Sequence, residues 1–407
     1  MHLRANSIVP VLVAALLLPS SGGQASTIRV PSDAPSIQDG LAQAAFGDTV
    51  LVSCGVYNET DLLLPDGVCL RSETGTPDCV TVDAQQASWI LDVSNVGAAT
   101  QVAGITFTGG YNTNGGAVLC DESFVTFELC DFVSNEATNW GGAVDMWHGN
   151  PQFIGCRFIS NQSAGSGGAV MGQTADPLFQ GCLFEGNSTG ADGGGAKIWW
   201  YSESQFLDCV FSQNHADSRG GGLSLYDPNP NEVVGCVFVG NTAGTAAGGL
   251  ELGSWVETTV HGCTFAFNGA PLGGCMAFGY EAVPAVTNCI VAFSSEGGAV
   301  HCYEDVWPNP VFEHCCVHGN AGGNGLCGTV LENLSADPLF CGGADDVSLC
   351  SDSPCAGFNP WGEQIGAYGI GCGACATPVE ALSWGHLKAL YRQADSHSMT
   401  RRSNQRR

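Results

Sequence analysis

A parallel β-helix, an all-β solenoid, is the fold this sequence predicts, and three periodic features predict it. Cysteine recurs at Cys130, Cys156, Cys182, Cys209, Cys236, Cys263, Cys289 and Cys315, in steps of 26 or 27 residues. Asparagine follows five residues later at Asn135, Asn161, Asn187, Asn214, Asn241, Asn268 and Asn320, with Ser294 breaking the series. A Gly-Gly pair recurs at 115, 141, 167, 194, 221, 248, 273 and 297. Such self-similarity marks a solenoid in which each unit contacts only its neighbours. Helical repeats need about 33 to 47 residues and long 3.6-residue periodicity, which the chain lacks. Instead, "PQFIGCRFIS" sets Phe153, Cys156 and Phe158 against the polar Arg157, and "GGLSLYD" alternates Leu with polar residues. That is strand periodicity. Two or three short strands per copy, joined by Gly/Asn turns, make one coil, and roughly ten to twelve coils stack at about 4.8 Å each.

Each periodic residue has a structural reason. Asparagines at one turn of every coil hydrogen-bond to their copies above and below as a ladder. Glycine accepts the positive φ of a tight corner. Inward cysteines are small and apolar enough to stack as a buried column. Their Cβ vectors run parallel about one coil apart, beyond the Cβ separation of about 3.8 Å that a disulfide uses. The column is therefore expected to hold mostly free thiols. A line of evenly spaced thiols also lacks the tetrahedral convergence zinc requires, so no metal site is expected there.

The ends follow in order. Residues 1–25 combine Arg4, an apolar run over 8–18 and a small-residue site after Ala25. This reads as a secretory signal peptide and predicts a secreted, extracellular or cell-surface protein. No later segment is long enough for a transmembrane helix. "SIQDGLAQAAFGDTVLV" spaces Ile37, Leu41 and Ala45 as a short helix capping the open end of the solenoid, which occupies 26–376. "GVCLRS", "CVTVDA" and "SWILDV" supply early, less regular coils. "SADPLFCGGADDVSLCSDSPCAGFNP" and "IGAYGIGC" read as the last coil and its cover. Of the 21 cysteines, Cys341, Cys350, Cys355, Cys372 and Cys375 form the cluster where disulfides are expected. In the tail, 377–407, Trp384, Leu387, Leu390 and Tyr391 make a short amphipathic segment before a basic, disordered end.

Charge excludes some partners. Residues 26–376 hold 5 Lys+Arg and 37 Asp+Glu, a net of −32, within an overall −27. Such a body does not attract nucleic acid or anionic lipid, and it disfavours polyuronates unless calcium bridges them. No motif indicates calcium or any other cofactor, and a monomer is expected.

Six copies keep a strict Phe-x-x-Asn, from Phe132–Asn135 to Phe265–Asn268, and strict GGAV stands at 115, 141, 167 and 297. This pairing resembles the repeat of the polymorphic outer membrane proteins, bacterial surface adhesins. The two ends resemble the wider right-handed parallel β-helix, pectin-lyase-like superfamily. The resemblance covers about 27–376 and implies a right-handed coil. It does not extend to the membrane β-barrel in which polymorphic outer membrane proteins end. Enzymes of the superfamily imply either an Arg or Lys base with calcium-binding carboxylates, or several acids beside His-Gly and Arg-x-Lys motifs. His148-Gly149, His261-Gly262 and His318-Gly319 occur here, but no Arg-x-Lys accompanies them. The outward positions of the strand after each cysteine are bland, running Arg157, Leu183, Val210, Val237, Thr264, Ile290 and then Ile159, Glu185, Ser212, Val239, Ala266.

A richer face follows the glycines. If the first and third residues after each pair point inward, the second and fourth point out. The fourth positions are Met146, Gly172, Trp199, Tyr226, Gly253, Phe278 and Cys302. The adjoining turn adds Trp147, His148, Trp200, Tyr201, Trp255 and Tyr280, interspersed with acids such as Asp145, Asp176, Glu203, Asp227 and Glu257. Aromatic faces stack on neutral sugar rings while carboxylates accept from their hydroxyls; equally, such aromatics can simply pack on one another. The candidate ligand-binding set is Trp147, His148, Trp199, Trp200, Tyr226, Asp227, Trp255, Phe278 and Tyr280. The expected function is non-catalytic binding of a glycan or another surface. The alternative is a polysaccharide lyase or glycoside hydrolase of the same fold.

Overall fold

The computed structural model describes residues 25–226, 229–303, 309–357 and 362–375. The signal segment and the tail, with its amphipathic stretch, lie outside them. A representative coil contains Gln152–Ile154, Arg157–Ile159, Gln162–Ser163 and Val170–Gln173. Each strand pairs in parallel with its copy one coil on, giving four sheets, here A to D in coil order. Sheet A has 13 strands, sheet B 11, sheet C 6 and sheet D 10. The 13 strands of sheet A exceed the expected ten to twelve coils. The excess comes from the ends, where Thr27–Val30, Thr49–Val52 and Cys69–Ser72 lack the cysteine-asparagine signature.

Phenylalanine fills the interior in two ladders. Phe132, Phe158, Phe184, Phe211, Phe238 and Phe265 of sheet B stack at 4.6 to 4.8 Å between centroids. Phe127, Phe153, Phe179 and Phe206 of sheet A stack at 4.9 to 5.1 Å. Parallel pairing at one coil per step sets this spacing, so identical residues meet face to face. The cysteine column runs beside them, buried and unpaired by disulfides. Each thiol donates to main-chain carbonyls, as Cys182 Sγ does to Phe153 O at 3.2 Å. Burial pushes thiols such as Cys130 and Cys156 well above their usual range.

At the corner after sheet B, the Asn Nδ2 groups donate to the next Oδ1 at 2.9 to 3.0 Å from Asn135 through Asn268. Each such Nδ2 also donates to a phenylalanine carbonyl, as Asn214 does to Phe184 O at 2.9 Å. The glycine pair has two separate causes. Its first member, at 115, 141, 167, 193, 220 and 273, takes φ between 59° and 75°. Its second allows close approach: a Cβ on Gly168 would lie 2.0 Å from Gly194 O.

The N-terminal cap is the helix Ile37–Gln43, with Ser36 as N-cap and Ile37, Gly40 and Leu41 buried. The Glu59 carboxylate accepts from Ile37 N and Gln38 N at 2.8 and 2.9 Å. The opposite end corrects expectation. Residues from Phe340 onward do not only close the last coil; they form a strap along the outside of sheet B. Val347, Phe340, Ala367 and Tyr368 pack on Leu183, Val210, Val237, Val239 and Ala266. Leu349, Cys355, Ala356 and Ile365 pack on Ile290, Ala292 and Cys316. The seemingly bland outer face of sheet B is therefore a docking surface, apolar because it is covered. Disulfides join Cys341–Cys372 and Cys350–Cys375 within the strap, and Cys54–Cys79 and Cys302–Cys327 elsewhere.

Candidate functional site

Sheet D positions the candidate residues, and its register decides which face outward. Val144, Val170, Ala196, Leu223, Leu250 and Met276 align and enter the core. So do Met146, Ile198, Leu225, Leu252 and Phe278. Met146 and Phe278 therefore point inward, contrary to the alternation counted from the glycines, and Gly172 and Cys302 share their column. Counting went astray because the middle coils carry an extra glycine. In Gly193-Gly194-Gly195 and Gly220-Gly221-Gly222 the corner is the first two residues, so the pair counted from 194 or 221 sits one residue past it and the alternation holds there, whereas at 141 and 273 the counted pair is the corner itself and the alternation is reversed. Trp199 and Tyr226 do face outward, in one column with Trp147 and Gln173.

The turn leaving sheet D carries a group of exposed aromatics. Trp200, Tyr201, Trp255 and Tyr280 are 49%, 69%, 51% and 39% exposed. Trp200, Tyr201 and Trp255 take φ of 61°, 49° and 61°, and His148 takes 57°. Bulky residues in this region are backbone outliers. These rings are paired but not buried by the pairing: Trp199 and Trp200 lie 4.6 Å apart, and Trp255 meets Tyr280 edge-on at 5.7 Å. His148 Nδ1 lies 3.2 Å from Asp121 Oδ1. Asp227 lies outside the described residues.

Beside this aromatic ridge, the outward column of sheet D is shielded and carries several polar residues among apolar ones such as Met171 and Ala277. Asp145, Lys197, Ser224 and Glu251 are all under 9% exposed. Lys197 Nζ meets Asp192 Oδ2 at 2.6 Å. Ser224 Oγ donates to Glu251 Oε2 at 2.6 Å, and Arg219 Nη1 lies 3.5 Å from Glu251 Oε1. Lys197 also lies 5.7 Å from the Trp199 ring centroid, and Arg219 5.5 Å from that of Tyr303. Burial raises the Glu251 carboxyl above its usual range. Burial also pushes Asp145 up to about 7, with the Trp147 side chain hydrogen-bonded to it and Asp121 nearby. Asp145 Oδ1, both amide atoms of Gln173 and the Tyr303 hydroxyl are buried without a partner. Most of this polar column escaped the sequence reading, which named fourth positions and not second ones; the tripled glycines at 193 and 220 were the available signal.

Where three candidate metal-ligand atoms converge among the described residues, two or three belong to disulfide cysteines. These sulfurs are not thiolates. A depression of about 240 Å³ lined by Val317, Leu326, Val330 and Leu334 opens at the last coil, away from the aromatic ridge.

Residues 90–265 match the family model of the right-handed β-helix region. The coil is right-handed. A solved structure described as a mannuronic acid specific polysaccharide family 6 lyase from human gut microbiota is similar at 14% identity and a TM-score of 0.41. That similarity covers 77% of this β-helix chain and 84% of the other. No curated protein matches it.

Proposed function

We propose that this β-helix is an exported protein that binds neutral polysaccharide, or the glycan surface of a cell, along the outer face of sheet D. The observation carrying this reading is the exposed aromatic ridge Trp200, Tyr201, Trp255 and Tyr280, three of whose members sit on positive-φ backbone. Exposed rings held in strained conformations are costly to keep without a ligand. The outward Trp147, Trp199 and Tyr226 extend the ridge in one column, Trp199 and Tyr226 one coil (about 4.8 Å) apart and Trp147 two coils before Trp199, steps comparable to one and two sugar rings.

The test is calorimetric titration with a panel of neutral polysaccharides. Trp200→Ala/Trp255→Ala, both at exposed positions, is expected to weaken binding about tenfold. A protein that binds no member of the panel, or a double variant that binds as well as wild type, sinks the proposal.

Hydrolysis is a second reading, favoured by Asp145 alone. A carboxyl titrating at about 7 is suited to general acid work. Glu251 is four coils away, about 19 Å, and cannot partner it. Asp121 is exposed, with Leu119 aligned to Asp145 and Asp121 to Trp147. Diagonal neighbours on one face lie about 7–8 Å apart, within the range of about 6.5–9.5 Å used by inverting glycosidases. New reducing ends that vanish in Asp145→Asn and Asp121→Asn would put this reading first; a panel without turnover leaves binding alone.

A further inference from the structure

The strap is tied to itself but not to the coil it covers. Its two disulfides, Cys341–Cys372 and Cys350–Cys375, both close within the strap. What holds it to sheet B is apolar packing and a few hydrogen bonds, such as Ala367 N to Thr264 Oγ1 at 3.0 Å and Gly366 N to Asn288 O at 2.8 Å. Two unpaired cysteines meet across this junction. Cys316 comes from the strand Cys316–His318 of sheet B and Cys355 from the strap; both are buried in one apolar cluster. Cys316 Sγ donates to Ala336 O at 3.2 Å, and the Cys316 and Cys355 side chains are near enough to influence each other's protonation.

We propose that Cys316 and Cys355 are a disulfide-forming pair that locks the strap onto the coil. They differ from the inward column in the way that matters for bonding. Column cysteines sit on neighbouring parallel strands, and their Cβ vectors run side by side. Cys316 and Cys355 come from facing elements packed in one cluster, an arrangement that lets two side chains approach head-on, as a disulfide requires. The Cys355 side chain also lowers the Cys316 thiol below its ordinary range, making it the attacking partner.

The oxidant is an external disulfide, such as oxidised glutathione. The Cys316 thiolate attacks one of its sulfurs, forming a mixed disulfide and releasing one thiolate. Cys355 then gives up its proton and attacks the Cys316 sulfur, expelling the second thiolate. Two protein thiols become one disulfide, and the external disulfide becomes two thiols. Because both cysteines are buried, the exchange proceeds while the strap is lifted, and the product fixes it closed over Val210, Val237 and Ile290.

The test uses the full chain equilibrated in glutathione buffers from reducing to oxidising, acid-quenched, alkylated after denaturation and digested without reductant. Mass spectrometry is expected to find a peptide joining Cys316 to Cys355, absent from Cys316→Ser and Cys355→Ser. Hydrogen exchange of the sheet B strands under the strap is expected to be on the order of tenfold slower in the oxidised wild type than in either variant. If either variant fails to fold, the linked peptide of the wild type decides. Full alkylation of Cys316 and Cys355 under conditions where Cys54–Cys79 is closed overturns the proposal. Linkage of Cys355 to a strap cysteine instead of Cys316 overturns it too.

Discussion

Asp145 sits under the aromatic ridge with one carboxyl oxygen unpartnered and the Trp147 side chain hydrogen-bonded to the group. Its titration at about 7 in the folded state stands against about 3.9 in the unfolded chain. Below about pH 4 the group is neutral in both states and stability is unaffected. As pH rises from there, the unfolded chain releases a proton that the folded protein keeps, so stability falls until about pH 7. The full difference, about three units at 1.36 kcal/mol each, is about 4 kcal/mol. Asp145→Asn removes the titration. The variant is expected to gain nothing over its own baseline at pH 4 and to gain up to about 4 kcal/mol relative to wild type by pH 8, read from urea unfolding. A difference that stays flat between pH 4 and pH 8 means that Asp145 is ionised when folded.

The asparagine ladder shows how a one-residue choice becomes an element. Asn214 Oδ1 accepts from both Asn187 N and Asn187 Nδ2, while its own Nδ2 donates to Asn241 Oδ1 and Phe184 O. Asn214→Ala leaves a buried Asn187 N–H without its acceptor and removes the side-chain donor to the Phe184 carbonyl, at about 3 kcal/mol in total. Asn320→Ala, beyond the break at Ser294, is expected to cost less, because its Oδ1 accepts from Ser294 N and from no asparagine amide; equal costs by chemical denaturation would show that the side-chain ladder adds nothing. This element was legible because the corner recurs at fixed spacing. Sheet D was legible only in part. The alternation is real, but the phase depends on where the corner begins, and Gly193-Gly194-Gly195 hides that. One residue of phase sent Met146 and Phe278 inward and brought Asp145 to the outer face, whereas Lys197, Ser224 and Glu251 lie where the count from 194, 221 and 248 puts them. The strap was less legible still. Nothing local in residues 339–375 states that they turn back, and the reason lies far away, in the apolar outward positions of Val210, Val237 and Ile290. Removing 339–375 is expected to expose that face and cause aggregation, measured by light scattering; a monodisperse truncated coil contradicts it.

At the scale of the molecule, net charge bears on the ligands that the proposed face would take. Residues 26–376 carry a net −32, and only five cations stand against it. Two of these, Lys197 and Arg219, are on the candidate face and are already paired with Asp192 and Glu251. A polyuronate approaching this face meets repulsion with no unpaired cation of sheet D to offset it. Neutral glycans feel no such field. Their affinity is therefore expected to stay constant between 20 and 500 mM salt, because ring stacking and hydroxyl contacts are not screened, whereas the field itself decays over about 8 Å at physiological ionic strength. Polyuronates are expected to show no binding at low salt. Tight polyuronate binding at 20 mM salt that fades as salt is added would mean that Lys197 and Arg219 leave their carboxylates for the ligand, and that the aromatic ridge is not what selects it.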